Sequence, residues 1–339
     1  MHRVMKADIP EIMMAVLLSE IDGQLTARHV PLPKPGPGEV LVKIAASPIN
    51  PSDLSRIKNV TEPSDRLWFV PGIEGSGTVV DHGTGLLPRL WQGKRVACIS
   101  VHHNSGTWAE YMVTPASRCI PIPDEISDEQ GAMLVVNPMT AVAFFDIARR
   151  NGHKAIVNTA AASSLGRIIG LLGVRYKIPV IHIVRNEKQK RLLVDQGARY
   201  VLDSSERRFQ EDLHSLAHKL NTTLVFDAVG GKLTRQILIA VPSGSTVIIY
   251  GNLSGKQPEI DHRSMVNDNK RISGFYLGNH LSQASPVNSI RTAIRVRQLL
   301  RSDLTIQVQG RFSLEKAQLA MDTYLSNMTA GKVLLVPGQ

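Results

Sequence analysis

The strongest constraint on the fold is the segment 155–185, because its apolar pattern changes from strand to helix and back to strand. Residues 155–157 form a short apolar run. One face of a helix then carries a repeated apolar set, Leu165, Ile168, Ile169 and Leu172. Val180–Val184 is nearly all apolar and rich in β-branched residues, which is typical of a parallel strand buried on both faces. The segment therefore predicts a β–α–β unit.

The turn between the first strand and the helix, AAASSLG at 160–166, consists mainly of small residues. In dinucleotide-binding folds such a turn lets the backbone approach a pyrophosphate, and the helix N-terminus offers free N–H groups and a positive dipole end. The candidate pyrophosphate residues are Ala162, Ser163, Ser164, Leu165 and Gly166. Of the glycine fingerprint G-x-G-x-x-G only Gly166 remains, so a β–α–β crossover without a ligand is the alternative.

A cation follows the second strand, where NAD-binding proteins usually place an acidic residue for the ribose hydroxyls. Arg185 stands at this position, and Lys188 follows three residues later. A positive charge there favours the 2′-phosphate of NADPH. The alternative is that Arg185 is a solvated residue at the end of a strand.

Composition narrows the class of protein. The chain has 339 residues, 43% of them hydrophobic, which suffices for two domains with a sizeable core. The net charge of +10 is spread along the chain without a nucleic-acid-binding motif, so no nucleic-acid partner is expected. Cys98 and Cys119 form neither a metal-binding motif nor a disulfide framework, which fits a reducing compartment. Because no apolar run is long enough to span a membrane, we expect a soluble, cytoplasmic protein.

The order of predicted elements indicates two kinds of architecture. The turn-rich segment 31–38 and several short apolar runs make the first 120 or so residues β-rich and barrel-like. The pattern Ser127 to Gln130 predicts a capping box at a helix start, and Pro138 is expected to interrupt the helical sequence before a second helix at 140–150. Beyond residue 185, strands at 200–202, 224–226, 246–250 and 272–277 alternate with helices, as in a doubly wound parallel sheet.

An ordered set of motifs resembles the medium-chain dehydrogenase/reductase superfamily, specifically its zinc-independent quinone oxidoreductase and 2-enoyl reductase branch. The motifs are GEVLVKIAASPINPSDLSRIKN (38–59), PGIEGSGTVV (71–80), GTWAEYMV (106–113), VNPMTA (136–141), VFDAVGG (225–231), IIYGNLSG (248–255) and GFYL (274–277). The resemblance implies an α/β fold, with a GroES-like β-rich catalytic domain at 1–130 and a Rossmann NADP-binding domain at 131–270. It also implies that 271–339 ends the Rossmann sheet and returns to the catalytic domain, with the active site in the cleft between the domains.

The resemblance also implies roles for individual residues. Asn50 and Thr140 would lie near the nicotinamide, and Arg185 with Lys188 near the 2′-phosphate. The nicotinamide side would be lined by two further groups: Tyr250, Gly251 and Asn252, and Phe275, Tyr276 and Leu277. From the residues themselves, Asn50 could instead cap a turn before Pro51, and the apolar residues of GFYL could be strand core.

Zinc-dependent relatives place a cysteine in the segment corresponding to 49–53 and a histidine in a Gly-His-Glu motif. This chain has no cysteine there and reads Gly72-Ile73-Glu74, so no catalytic zinc is expected. The two isolated cysteines cannot supply a four-thiolate structural site. The tyrosine that many of these reductases carry just beyond the INPSD segment is also absent from 56–62. Asn50 is then the one catalytic hydrogen-bond donor that the pattern suggests.

The sequence thus predicts an NADPH-dependent oxidoreductase that delivers hydride to a small-molecule substrate, either a quinone or an activated C=C bond of an enone, alkenal or 2-enoyl thioester. The alternative is a nucleotide-binding protein of the same fold with little or no turnover. By analogy with the family, we expect a homodimer formed through the strand predicted at 272–277.

Overall fold

The computed structural model describes residues 9–19, 23–60, 69–102, 104–302 and 304–338. Thr61 and Glu62 of the tyrosine-free segment lie outside these ranges. The chain forms two compact units. One comprises Met1–Val136 with Val296–Gln339, and the other comprises Asn137–Arg295. The predicted Rossmann domain was expected to begin after residue 130 and to end at residue 270. The boundaries of the second unit lie 6 and 25 residues later, after Val136 and at Arg295.

The strands in the described residues are β1 (Ile12–Leu18), β2 (Leu25–Pro31), β3 (Glu39–Pro48), β4 (Glu74–His82), β5 (Arg95–Ile99), β6 (Tyr111–Pro115), β7 (Cys119–Pro121), β8 (Ile156–Asn158), β9 (Val180–Val184), β10 (Tyr200–Asp203), β11 (Leu224–Asp227), β12 (Thr246–Ile249), β13 (Arg271–Gly274), β14 (Val308–Phe312) and β15 (Lys332–Leu335).

The α-helices are α1 (Pro51–Lys58), α2 (Leu86–Trp91), α3 (Asp128–Ala132), α4 (Val136–Arg150), α5 (Ser164–Tyr176), α6 (Glu187–Asp195), α7 (Phe209–Lys219), α8 (Gly231–Ala240), α9 (His262–Val266), α10 (Leu277–Gln283), α11 (Pro286–Ser302) and α12 (Ala317–Ser326). None of these helices has the length and apolar character needed to cross a membrane.

The first unit is built on a seven-stranded sheet. Its strand order is β14-β15-β3-β4-β5-β7, with β6 also paired to β3, while β1 and β2 pair separately as antiparallel strands. The late strand β15 lies antiparallel to β3, so residues from both ends of the chain share one core. That core includes the fully buried Ile49, Trp108 and Val333.

The second unit is a six-stranded parallel sheet with the order β10-β9-β8-β11-β12-β13. Its central strands are continuous runs of buried residues, as expected where helices cover both faces of a parallel sheet. This order confirms the doubly wound sheet predicted from the alternation of strands and helices. The chain reverses its direction of travel across the sheet between β8 and β11, which are neighbours.

Two predicted boundaries were wrong. The last strand of the parallel sheet ends at Gly274 rather than at 277, because the chain turns after Phe275 and Leu277 begins α10. Helix α4 begins at Val136 and contains Pro138 instead of being interrupted by it. Proline is tolerated there because N–H groups in the first turn of a helix have no partner within the helix.

One local prediction differs in detail from the structure, and one contact between cysteines is not visible in the sequence. The Ser127 hydroxyl accepts a hydrogen bond from the Gln130 N–H (3.2 Å), but the Gln130 side chain bonds to the backbone of Ile306 instead of completing the capping box. Cys98 and Cys119, distant in sequence, are register partners on β5 and β7, and both are free and buried. Antiparallel pairing, which the spacing of the cysteines does not reveal, brings them together.

Candidate functional site

Most of the predicted cofactor residues lie at one edge of the parallel sheet. The 160–166 turn follows β8, Arg185 follows β9, Tyr250 follows β12 and Phe275 follows β13. Because all six strands are parallel, their carboxyl ends share this edge. The edge includes the point between β8 and β11 where the strand order reverses, which is where open α/β sheets bind their ligands.

The turn after β8 is held by its own backbone and by β9. Ala160 has a positive φ of 47°, an uncommon conformation for a residue with a side chain. The N–H of Ala161 donates to the carbonyl oxygen of Ile183 (3.1 Å), so the turn lies beside the end of β9. Ser163 is the N-cap of α5, and its hydroxyl accepts from the N–H of Gly166 (3.1 Å). The turn thus leads directly into the N-terminus of α5, with Ser164 and Leu165 as the first helical residues.

Gly166 has a packing role that explains why this glycine is present. A Cβ atom at residue 166 would lie 2.4 Å from the carbonyl oxygen of Ala161 and 2.7 Å from that of Ala160. Its own carbonyl oxygen accepts from Nδ2 of Asn158 (3.3 Å). The helix can therefore approach the turn this closely only with glycine at 166, which is the role of the third glycine in the dinucleotide-binding fingerprint.

Arg185 and Lys188 lie exposed at the start of α6. The Asn186 side chain caps this helix by accepting from the N–H of Gln189 (3.0 Å), and Oε1 of Gln189 accepts from the N–H of Arg185 (3.3 Å). Neither cationic side chain has a hydrogen-bond or ion-pair partner in the described part of the chain. Both are free to bind an anion, and their contact with a 2′-phosphate stays a prediction.

Of the residues after β12 and β13 that are predicted near the nicotinamide, some pack in the core and others lie on the surface. The ring of Phe144 stacks on Phe226 (3.8 Å between centroids) and makes edge contacts with Tyr250 (5.0 Å) and Phe275 (4.9 Å). The Tyr250 hydroxyl is buried without a hydrogen-bond partner in the described residues, and burial raises its pKa above the ordinary range. Tyr276, by contrast, is 65% exposed.

The remaining residues predicted near the nicotinamide have local contacts. Thr140 is buried within α4. Gly251 passes close to the backbone of Ala228, since a Cβ at 251 would lie 3.0 Å from the Ala228 carbonyl oxygen. Asn252 accepts a hydrogen bond from the Ser254 hydroxyl (3.3 Å), and Leu277 is the first residue of α10. Their roles toward a cofactor stay predictions.

Asp227, at the end of β11, organises the loop at the strand reversal, although the sequence analysis did not single it out. Its buried carboxylate accepts hydrogen bonds from the hydroxyls of Thr159 (2.9 Å) and Thr234 (2.7 Å) and from the N–H of Val229 (2.8 Å). The motif VFDAVGG contained this signal, because a lone acidic residue at the end of a buried strand needs partners.

The first unit contains a fully buried cluster of polar side chains, the buried polar cluster: Asn50, Asp53, Glu74 and Lys332. Nζ of Lys332 donates to Oδ1 of Asn50, and Nδ2 of Asn50 donates to Oε1 of Glu74 (3.0 Å). The carboxylate of Asp53 accepts from the N–H groups of Asn50 and Ile73 (both 2.8 Å). The second oxygen of Glu74 accepts from the N–H groups of Val135 (3.1 Å) and Val136 (2.7 Å).

Burial dominates the electrostatics of the buried polar cluster. Loss of hydration raises the pKa of Asp53 to about 7 and also raises that of Glu74. It lowers the pKa of Lys332, although the two carboxylates oppose that shift. One ammonium group thus faces two carboxyl groups, and a proton on Asp53 relieves part of the excess negative charge.

These bonds leave the Asn50 side chain occupied within its own unit. Its oxygen faces an ammonium group and its amide faces a carboxylate, so the reverse orientation would place donor against donor. Asn50 also occupies the N-cap position of α1, the alternative that the sequence left open, and the Asp53 carboxylate in the first turn of α1 accepts from the Asn50 N–H as in a capping box. Its predicted role as a hydrogen-bond donor to the substrate stays a prediction and would require rearrangement of these contacts.

The position of the family's zinc-binding histidine holds a residue that cannot bind a metal through its side chain. Ile73 stands in place of the histidine and contributes its backbone N–H to Asp53. Among the described residues, no three His, Cys, Asp or Glu side chains are grouped so that they could hold a metal ion.

Comparisons with known proteins agree with this architecture. Residues 36–124 match the family model "Alcohol dehydrogenase GroES-like domain", and residues 164–295 match "Zinc-binding dehydrogenase". The crystal structure of a candidate NADPH:quinone reductase from Mesorhizobium loti has 31% identity and a TM-score of 0.88, covering 98% of this chain and 100% of that one.

Two further relatives are informative. The human mitochondrial enoyl-[acyl-carrier-protein] reductase is 27% identical over 307 residues, 88% of this chain and 80% of its own. A mycobacterial structure complexed with NADPH has 25% identity and a TM-score of 0.77, covering 96% of this chain and 100% of that one. With its GroES-like and Rossmann-type units in this order, the chain belongs to the medium-chain dehydrogenase/reductase superfamily.

Proposed function

We propose that this protein is an NADPH-dependent oxidoreductase that reduces a quinone or an activated C=C bond of an alkenal or 2-enoyl thioester, without zinc. The observation that carries the proposal is the arrangement at the strand reversal. There a tight turn, a helix N-terminus packed through Gly166 and the unpaired Arg185 lie at one edge of the sheet. The relatives named above support hydride-transfer chemistry and a nicotinamide cofactor.

The residues present fit a dinucleotide. The turn and the N-terminus of α5 offer N–H groups to a pyrophosphate, and the exposed guanidinium of Arg185 offers a planar set of donors to a 2′-phosphate. The nicotinamide would supply the hydride. The residues after β12 and β13 would provide an apolar wall that orients the ring, since Phe275 and Tyr250 are fixed against Phe144.

Cofactor preference tests the role of Arg185. Arg185→Ala should weaken NADPH binding roughly ten- to a hundred-fold, the value of a charge-assisted contact, and leave NADH nearly unchanged. Arg185→Asp should shift preference toward NADH, because it adds repulsion as well as removing attraction. Fluorescence titration of both cofactors against each variant makes the comparison.

Lys219→Gln is the matched control, because Lys219 is an exposed cation at the C-terminal end of α7, at the opposite edge of the sheet. Equal binding of NADPH and NADH by the wild type, or equal weakening of both by Arg185→Ala, would refute the assignment.

A nucleotide-binding protein with little turnover is the second candidate. It is favoured by the internal hydrogen bonds of Asn50, which occupy the one catalytic donor that the sequence suggested. At fixed NADPH, a panel of quinones, alkenals and enoyl thioesters separates the two candidates. NADPH binding without oxidation across the panel favours the second candidate, whereas acceptor-dependent loss of absorbance at the reduced nicotinamide band favours the oxidoreductase.

We also propose a cytoplasmic homodimer. In the described residues β13 is an outermost strand of the parallel sheet, and such a strand can pair with a second copy across a two-fold axis. Light scattering at micromolar concentration tests this assembly, and a monomeric mass would contradict it.

A further inference from the structure

An arginine outside the predicted site, Arg167, lies in the first turn of α5. Its side chain makes no hydrogen bond or ion pair with any part of the chain that the structure describes. It is half-buried, and burial lowers its pKa without any carboxylate to oppose the shift. A partly desolvated guanidinium without a counter-ion is unfavourable, because the lost hydration is not replaced.

Arg167 lies on the flank of α5, away from the buried face that includes Gly166, Ile169 and Gly173. Gly170, three residues later, still lies near β9, since a Cβ at 170 would be 3.0 Å from the imidazole ring of His182, whereas Val174, seven residues after Arg167, is exposed. Helical side chains lean toward the N-terminus of their helix, so the side chain of Arg167 extends toward the turn at 160–166. Because Ala161 is bonded to Ile183, that turn adjoins the end of β9 and Arg185.

The residues of the turn at 160–166 explain why an additional cation such as Arg167 would help to bind a phosphate. In a glycine-rich turn the backbone itself approaches the pyrophosphate, but Ala161, Ala162 and Ser163 carry Cβ atoms that keep an anion farther away. The hydroxyl of Ser163 also takes the N–H of Gly166, one of the helix donors. A flexible arginine can bridge the longer distance and replace contacts that the glycines would have allowed.

From these observations we infer that the Arg167 guanidinium binds a phosphate of the dinucleotide, as a second cation beside Arg185. The inference rests on the proposed function, since it assumes that this edge of the sheet holds NADPH. The phosphate is either the pyrophosphate, which NADH and NADPH share, or the 2′-phosphate, which NADPH alone carries.

The experiment compares Arg167→Gln, Arg167→Lys and the control Lys219→Gln with the wild type by titrating NADPH and NADH. Arg167→Gln should weaken binding at least tenfold, and Arg167→Lys, which keeps the charge but loses the planar donors, should fall between it and the wild type. Weakening of both cofactors assigns the pyrophosphate, whereas weakening of NADPH alone assigns the 2′-phosphate.

Thermal melting separates this role from a structural one. Without cofactor, Arg167→Gln should melt at the same temperature as the wild type or higher, because it removes a half-buried charge that has no counter-ion in the described residues. Saturating NADPH should then raise its melting temperature less than that of the wild type. If Arg167→Gln binds both cofactors within twofold of the wild type, the inference is wrong while the proposed function stands. If the wild type binds neither cofactor, the inference about Arg167 and the proposed function are both wrong. If Arg167→Gln binds the cofactor weakly but the wild type reduces no acceptor, only the proposed function is wrong.

Discussion

Replacing Lys332 by methionine should strongly destabilise the first unit, because Lys332 is the ammonium group of the buried polar cluster. Methionine fills a similar volume, so the change removes a charge and a hydrogen bond more than it creates a cavity. The Asn50 oxygen and the Glu74 carboxylate would remain buried without their cation. Lys332 acts on the Glu74 and Asp53 carboxyl groups by electrostatic attraction, and its direct contact in the described residues is with Asn50. The roughly 3–5 kcal/mol that a broken buried ion pair costs is therefore the upper limit, which corresponds to a fall in melting temperature of roughly 10 °C for a unit of this size.

Tryptophan fluorescence is a suitable assay, because Trp91 and Trp108 lie in the first unit and the third tryptophan, Trp68, also precedes residue 137 in the sequence. The matched control is Lys94→Met, which removes an exposed lysine of the same unit and should change the unfolding free energy by less than about 0.5 kcal/mol.

A double-mutant cycle with Glu74→Gln isolates the interaction of the two charges. The double variant should lose about 1–3 kcal/mol less stability than the sum of the losses of the two single variants. The reason is that the double variant no longer contains the carboxylate that Lys332→Met leaves without a cation. A cost below 1 kcal/mol for Lys332→Met, or strict additivity in the cycle, would refute the view that Lys332 compensates buried negative charge.

Three other results are expected. Gly166→Ala should destabilise the second unit and abolish cofactor binding, since its Cβ would meet the carbonyl oxygen of Ala161 at 2.4 Å; unchanged binding by titration would contradict the packing argument. Ala160→Gly should raise the unfolding free energy by about 1 kcal/mol in a urea titration, because glycine adopts a φ of 47° without strain. Folding raises the pKa of Asp53 to about 7, so the folded protein keeps a proton that the unfolded chain releases near pH 4. The contribution of Asp53 to stability should therefore be complete below that pH and fall by up to about 4 kcal/mol as the pH rises to 7, and Asp53→Asn should remove this part of the pH dependence.

Metal content is tested separately. The purified protein should contain no stoichiometric zinc by elemental analysis, because residues 49–53 contain no cysteine and Ile73 stands in place of the family's histidine. About one zinc per chain, lost together with activity on chelation, would show that other residues bind it.

Local periodicity was sufficient to predict the parallel sheet and to bring the candidate cofactor residues to the carboxyl ends of its strands, while their binding of a cofactor stays a prediction. The β-branched run of β9 and the apolar face of α5 are short-range patterns, and a parallel sheet brings every strand's carboxyl end to one side regardless of loop detail. Arg185 could be placed for the same reason, since it directly follows β9.

The buried polar cluster could not be predicted, because its members are joined only by the tertiary fold. Asn50 and Lys332 are 282 residues apart, and a lysine in an apolar strand ordinarily points to solvent. The boundary errors have a similar cause. Whether Pro138 breaks a helix or lies in its first turn depends on where the helix begins, and Glu74, which binds the N–H groups of Val135 and Val136, helps fix that beginning from 61 residues away.

The two-segment construction of the first unit has a consequence for synthesis on the ribosome. The part of the chain up to Val136 emerges before its partner strand β15 and before the cation of the buried polar cluster, while the whole of 137–295 is translated in between. At about 5–20 residues per second this interval lasts on the order of 10–30 s. During that time the second unit, which is continuous in sequence, can complete its sheet. The nascent first unit meanwhile exposes the end of β3 at Ser47 and Pro48 and carries acidic side chains without their counter-ion, which makes it the part of the polypeptide that a chaperone would need to protect.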